Sequence, residues 1–317
     1  MSNETINFAI TGVGGYIAPR HLNAIYKTGN RVVAALDPND SVGLLDSYAY
    51  DISFFTEFER FDRHLEKLRR ENKDQQVHML SICSPNFLHD AHCRLALRIG
   101  ADAICEKPLV INPWNLDALQ ELEFEYDKHI YTILQLRVHP KVLKLREQLL
   151  QTPRDKQHDV IITYITPRGN WYHVSWKGNL EKSGGIVANI GIHLFDLLIW
   201  LFGDPYEVRL YHSDSYRVSG YLALERAQVK WFLSTDHRDL QLTDQPEFCR
   251  SYRSIRINDK NFEFSSGFDD LHTIVYEEIL SGRGFRIGDA RPSINLIHKI
   301  RNAELLSKDD KIHPILK

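Results

Sequence analysis

Two groups in this sequence are suited to moving a proton, a lysine beside a proline and a histidine in an apolar helical stretch. The lysine is Lys107, in Glu106-Lys107-Pro108, directly after the apolar run Ala103–Cys105. The proline biases the residue before it toward an extended backbone, so Lys107 reads as a positioned cation. Lysine in a partly closed site shifts its proton affinity far enough to serve as a base. A solvated surface lysine is the competing reading. The histidine is His193, in the block Gly184–Asp196 (GGIVANIGIHLFD). Asn189, His193 and Asp196 are spaced four and three apart, which predicts one shared helix face. A lone histidine there would read as a hydrogen-bonded core residue. Three polar residues on one stripe of an apolar helix each need a partner.

A third pattern supplies the setting for that chemistry. The apolar run Asn7–Thr11 leads into Gly12-Val13-Gly14-Gly15-Tyr16-Ile17. Closely spaced glycines after a strand let backbone N–H groups and a helix N-terminus approach a pyrophosphate. The third glycine of the usual pattern is Ile17 here, but Pro19 fits a first helical turn. A second apolar run, Val32–Leu36, ends in Asp37, placed for an adenine-ribose diol. Pro38 follows and no arginine stands there to meet a 2′-phosphate, so the expected cofactor is NAD. In a doubly wound sheet ligands lie beyond the carboxyl ends of the strands. Three strand ends carry suggestive residues: Ser84-Pro85-Asn86 with His89, Glu106-Lys107-Pro108, and Gln135-Leu136-Arg137. The expected cofactor contacts are therefore Gly12, Gly14, Gly15, Tyr16, Ile17, Asp37, Ser84, Pro85, Asn86, His89, Glu106, Lys107 and Gln135.

These residues need a particular scaffold. Through residue 138 the chain alternates apolar runs with amphipathic stretches, which predicts a parallel sheet with right-handed crossovers. Strands are expected at Phe8–Thr11, Val32–Asp37, Val77–Cys83, Ala103–Cys105 and Ile130–Leu136. Arg60–Glu71 reads as a helix with Phe61, Leu65 and Leu68 on one stripe. After a helix at Pro140–Leu150 the pattern changes. Asp159–Thr166 alternates, Pro167–His173 reads as an aromatic-rich loop, and Val187–Leu201 as an apolar helix. Strands then follow at Glu207–Ser213, Ser219–Glu225, Gln228–Thr235 and Ser251–Ile257, an antiparallel meander on one or two helices. The fold class is α/β: a Rossmann domain over residues 1–138, then an α+β domain over 139–317 with an open, mostly antiparallel sheet. A final helix, at about 291–307, is expected to return to the first domain. One face of the Glu207–Thr235 strands needs cover, which suggests self-association.

Composition narrows the function. At 317 residues, with 43% hydrophobic and 26% charged residues, the chain reads as a soluble globular protein of about two domains. A net charge of −3 with no basic run argues against nucleic acid or an anionic membrane as partner. No secretory signal is read at Met1–Thr5, and Ile190–Phe202 is expected to be too short to span a bilayer. Cys83, Cys93, Cys105 and Cys249 form neither a disulfide framework nor a zinc ribbon, which fits reduced thiols and a cytoplasmic location. His89, His92 and Cys93 share a helix face but lack a fourth ligand, so no metal is expected.

In order and spacing, Gly12–Ile17, Glu106-Lys107-Pro108 and Gly184–Asp196 resemble the three hallmark segments of the glucose–fructose oxidoreductase/inositol dehydrogenase family. The resemblance covers nearly the whole chain. It implies a Rossmann domain, a second domain carrying substrate and oligomer contacts, and hydride transfer between a nicotinamide and a sugar-like hydroxyl carbon. Residues 11–22, 166–178, 189–203, 263–273 and 289–292 are similar to a narrower branch, the dehydrogenases of UDP-N-acetylglucosaminuronate in bacterial O-antigen (lipopolysaccharide) synthesis. That likeness implies oxidation of the 3-hydroxyl to a ketone by a homotetramer, with 2-oxoglutarate as a reoxidant of bound NADH in some relatives. Family members that use an inositol, a hexose or another nucleotide sugar, or that only sense such ligands, are the alternatives. Many members carry Asp where this chain has Asn189. Asparagine orients an imidazole without stabilising its cation as a carboxylate does, which shifts weight from His193 to Lys107. Lys107 and His193 are the expected catalytic pair. A UDP-uronate brings several negative charges, so Arg137, Arg168 and Lys177 are expected clamps. Asn170, Tyr172 and Asn189 are expected at the sugar, with Lys107 and His193.

Overall fold

The computed structural model describes residues 5–71, 73–243, 250–262 and 270–317. Cys249 and residues 263–269 of the 263–273 stretch lie outside the described residues. The chain divides into two compact units. One runs to Gln135 and takes back a later segment that ends at Arg291; the other begins at Leu136 and also holds Pro292–Lys317.

The first unit is built on β1 (Asn7–Thr11), α1 (Ala18–Lys27), β2 (Arg31–Leu36), β3 (Ser53–Phe55), α2 (Phe58–Glu71), β4 (Met79–Ile82), α3 (His89–Arg98), β5 (Asp102–Cys105), α4 (Pro113–Tyr126) and β6 (Ile130–Thr132). Its six strands are all parallel, in the order β3-β2-β1-β4-β5-β6. Every residue of β1 is buried, because helices cover both faces of a parallel sheet and leave no polar side to alternate with. The order reverses between β1 and β4, and such a switch point is where an α/β sheet binds its ligand. Phe61, Leu65 and Leu68 are the buried stripe of α2, as their helical spacing predicts. The last strand is shorter than Ile130–Leu136: after Thr132 the chain turns into a 3₁₀ segment at Gln135–Val138.

The second unit holds α5 (Pro140–Leu150), β7 (His158–Ile165), α6 (Asn170–Val174), α7 (Leu180–Ser183), α8 (Ile192–Phe202), β8 (Pro205–Ser213), β9 (Arg217–Leu224), β10 (Ala227–Ser234), β11 (Tyr252–Ile257) and β12 (Lys260–Phe262). Its sheet runs β12-β11-β7-β10-β9-β8, antiparallel throughout except where β7 meets β10. Two expectations change here. The Pro167–His173 segment runs into the short helix α6, and the Val187–Leu201 stretch opens with a π-helical turn at Val187–Gly191 before α8 begins. Ile190–Phe202 lies within a longer helical stretch, Leu180–Phe202, whose 23 residues are by length and composition alone enough to cross a bilayer. Of its most apolar window, 78% is buried inside the protein, so the stretch serves as core. Phe195 of α8 meets Trp231 of β10 edge to face at 5.2 Å. Gly220, opposite Trp231 in the ladder, leaves room for that ring: a Cβ there would lie 2.7 Å from it.

Two helices complete the chain. α9 (Leu271–Leu280) packs on α1 and stacks Tyr276 on Phe8 of β1 at 6.0 Å. α10 spans Ile287–Arg301 rather than 291–307. The rest of the C-terminal segment then covers the sheet face of the second unit that the sequence leaves uncovered. Leu306 N–H donates to Leu210 O of β8, Ile312 joins Tyr211, Tyr221 and Ala223 in a buried cluster, and His313 stacks on Phe232. Asp309 accepts from Arg209 and from the Tyr211 hydroxyl, and Lys230 donates to Asp310 O. The chain thus supplies its own cover there. Ile312→Ala is expected to lower the unfolding free energy by about 2–4 kcal/mol, read by urea titration; an unchanged midpoint would show that this segment does not belong to the fold's core.

Candidate active site

The glycine turn is shaped by close approach of two strands. Gly12 has φ of 74°, and a Cβ on it would lie 2.5 Å from the Cys83 carbonyl oxygen just beyond β4. No side chain fits there, which is what a backbone cradle for a pyrophosphate requires. Gly12 and Val13 donate their N–H groups to Leu36 O, tying the turn to the end of β2. The Asp37 carboxylate accepts Gly14 N–H at 2.9 Å and Asn39 N–H at 2.8 Å, so it is fixed at the rim of the turn. Gly14 and Tyr16 are exposed, Gly15 and Ile17 partly so. Ile17 caps α1 with φ of −88°, a conformation that needs no glycine. The open turn and the oriented acid fit a dinucleotide.

At the end of β5 the residues face opposite ways. From Ala103 to Val110 every residue is buried except Lys107, which keeps part of its surface open. The Lys107–Pro108 peptide is cis. Glu106, by contrast, is buried, and its carboxylate is held from within the unit. His21 Nε2 lies 3.0 Å and His272 Nε2 3.1 Å from the same oxygen, Oε1, while Oε2 accepts the Lys107 backbone N–H at 3.2 Å. Burial works against the charge, but the donors from His21 and His272 outweigh it and hold Glu106 well below the usual carboxylate range. His21 and His272 with Glu106 have the residue types of a metal site. Their distances are those of two N–H donors sharing one carboxylate oxygen, and this network is how we read them. Its members other than Glu106 are absent from the motifs. His21 looks like one more apolar-face residue of α1, and His272 and Tyr276 lie far along the chain.

Three of the expected cofactor contacts have side chains bonded within the first unit. Glu106 is turned to the histidines. His89 is buried, with Nδ1 2.7 Å from Pro108 O and Nε2 2.9 Å from Ser84 O, so it bridges two strand-end loops. Burial lowers its pKa, against the pull of those two carbonyls. The Ser84 hydroxyl points inward at 2.9 Å from His92 Nδ1, which also faces the Thr11 hydroxyl at 3.0 Å. Burial holds His92 down at about 4, so its ring is neutral. Asn86 is buried, while Pro85 and Gln135 are partly open.

In the second unit one helical run carries the candidates. Between Ile186 and Ile199 every residue is buried except Asn189 and His193. Asn189 donates to the Tyr172 hydroxyl at 2.9 Å, and Tyr172 is itself buried. Asp196 does not share their open face. It is buried and accepts two hydrogen bonds from Arg137, at 2.7 and 3.0 Å. Arg137, expected as a clamp, is thus the buried partner of Asp196. Lys177 lies over the Trp176 ring at 4.4 Å and the Trp171 ring at 5.7 Å. Arg168 and Asn170 are exposed.

Comparison with known proteins matches both parts of the chain to one family. Residues 6–133 match the family model described as an oxidoreductase family with an NAD-binding Rossmann fold, and residues 157–220 match the family's C-terminal alpha/beta domain. The WlbA (WbpB) dehydrogenase of Thermus thermophilus, solved with NAD and UDP-GlcNAcA, is 46% identical over 98% of this chain and 99% of its own, with a TM-score of 0.93. The same dehydrogenase solved with NAD and alpha-ketoglutarate gives a TM-score of 0.92 at equal identity and coverage. Among curated relatives, the D-glucoside 3-dehydrogenase of Escherichia coli is 25% identical over 45% of this chain and 40% of its own length. The chain spans about a third of the length of the first curated relatives it matches, 35% and 31%. Asp37→Ala is expected to weaken NAD binding about tenfold or more, since hydrogen bonds to a charged group are worth roughly 1.5–3 kcal/mol. It should also narrow the preference over NADP. Titration of NADH fluorescence checks both, and equal affinities in wild type and variant refute the role.

Proposed function

The chain belongs to the glucose–fructose oxidoreductase/inositol dehydrogenase/MocA oxidoreductase family, and from that premise we propose that it is an NAD-dependent dehydrogenase that oxidises the 3-hydroxyl of UDP-N-acetylglucosaminuronic acid to a ketone. The observation that carries the reading is the near full-length likeness, at 46% identity, to a dehydrogenase captured with NAD and UDP-GlcNAcA.

In this reading the Gly12–Gly15 turn receives the pyrophosphate and Asp37 the adenine ribose. NAD, when bound, supplies the hydride acceptor. Lys107, as the free amine, takes the proton of the substrate hydroxyl while the hydrogen on the same carbon leaves as hydride, and a ketone remains. His193 assists at the substrate oxygen, held in orientation by Asn189, which Tyr172 anchors in turn. Arg168, Lys177 and Asn170 meet the uronate and diphosphate. Arginine suits a carboxylate because its planar fork binds both oxygens. Two part-exposed polar groups standing out of otherwise buried runs, Lys107 in one unit and His193 in the other, support these roles.

The reading extends to a cytoplasmic homotetramer that prepares a sugar for bacterial O-antigen. It also extends to 2-oxoglutarate as reoxidant, supported by the alpha-ketoglutarate complex of the Thermus protein. The keto acid would take the hydride back with one proton and become a 2-hydroxy acid. Lys107→Ala is expected to lower kcat with UDP-N-acetylglucosaminuronate by about 10²–10⁴, with folding judged by melting temperature. Undiminished NADH formation would remove Lys107 as base, and turnover of free inositols or hexoses in place of the UDP-sugar would remove the substrate assignment. In a single-turnover assay, added 2-oxoglutarate should discharge the NADH signal and yield 2-hydroxyglutarate; a signal that persists would rule out recycling.

A further inference from the structure

Behind Lys107 lies a buried chain of hydrogen bonds that the proposed reaction does not use. Glu106 Oε1 can only accept, so His21 and His272 both present Nε2–H to it. With its proton on Nε2, His21 accepts at Nδ1 from the Tyr276 hydroxyl, 2.7 Å away, and Tyr276 accepts from Ser81 at 2.7 Å. Every donor thus runs toward one carboxylate. The titratable groups facing Glu106 are His21 from α1, His272 and Tyr276 from α9, His89 from α3, Cys83 after β4 and Cys105 in β5. Burial lowers His21, the Glu106 contacts opposing it, and raises the two thiols and the Tyr276 phenol. His272 Nδ1 is buried and has no hydrogen-bond partner. Glu106 is the acceptor at the centre of the set, and its second oxygen accepts the Lys107 backbone N–H.

We propose that His21 and His272 are positioning residues for Lys107: by donating together to one oxygen of Glu106 they aim the other at the Lys107 peptide and so fix the direction in which the amine is presented. The proposal rests on the reading of Lys107 as proton acceptor. Neither histidine needs to reach substrate or cofactor.

The test uses two polar replacements that differ in where the donor falls. The amide nitrogen of His272→Gln occupies the place of Nε2 and keeps the bond to Glu106. In His272→Asn it falls at the place of Nδ1, which has no partner. With the full-length protein, His272→Asn is expected to lower kcat about tenfold and leave KM for the UDP-sugar within about twofold. His272→Gln should stay within about threefold of wild type. Trace acetylation of Lys107 by acetic anhydride, followed by mass spectrometry in the NAD-free protein, gives a readout apart from turnover. Its pH midpoint should move in the Asn variant and return in the Gln variant. Equal kcat and equal labelling in the two variants overturn the proposal, as does failure of both to fold, which would make the role structural. Retained turnover in Lys107→Ala instead overturns the reading of the lysine and is scored separately.

Discussion

A buried carboxylate is the constraint on which the first unit depends. An ionised side chain taken out of water needs hydrogen bonds on all sides or it takes up a proton. Glu106 obtains them from two histidines and from the next peptide N–H. One histidine sits on α1, the helix that follows the glycine turn; the other sits on α9, 166 residues beyond Glu106 in sequence. Solvation of one acid therefore ties the start of the unit to its returning segment. The Tyr276 hydroxyl on the same returning helix completes the link to Ser81 on β4. The strand end that bears Lys107 is consequently held from the sheet, from α1 and from α9, with His89 gripping Pro108 O on the far side.

The second unit solves a related problem with a different device. A helix that is apolar nearly all round must be buried, yet this one keeps two polar residues, Asn189 and His193, partly exposed. A π-helical turn at Val187–Gly191 carries Asn189 and precedes α8, which carries both His193 and Asp196. Asn189 and His193 stay open, and Asp196 turns into the core. Its charge is matched there by Arg137 in a two-bond pair, with the guanidinium also 5.9 Å from the Trp200 ring centre. Removing either partner would strand a buried charge, so the pair holds α8 against the segment that opens this unit.

The C-terminal segment bears on the argument for self-association. Alternating strands at Glu207–Thr235 suggest a sheet with a face in need of cover. Ile312, His313 and Leu316 cover part of it from the same chain, and Asp309 and Lys311 fasten the cover to Arg209, Tyr211 and Glu207. That part of the face needs no second copy. The tetramer of the proposed function therefore rests on family likeness and not on an uncovered sheet.

Local pattern explains which parts were readable from sequence. The glycine turn, Asp37 and the strand rhythm are set by neighbours close in the chain, and the structure places them as their spacing predicts. Side-chain direction is another matter. Glu106 and Lys107 are adjacent in a motif, and both read as ligand contacts. Successive residues of an extended chain point to opposite faces, so at most one of the pair faces a ligand across that sheet end. The alternation was available as a signal and argues for Lys107, whose neighbours on both sides are buried. Ser84 and His89 show the same limit: closeness to a strand end says nothing about which way a hydroxyl or an imidazole turns. His21, His272 and Tyr276 carried no signal at all. Each sits among apolar residues in its helix, and what makes them polar partners is one buried acid that only the folded chain brings to them.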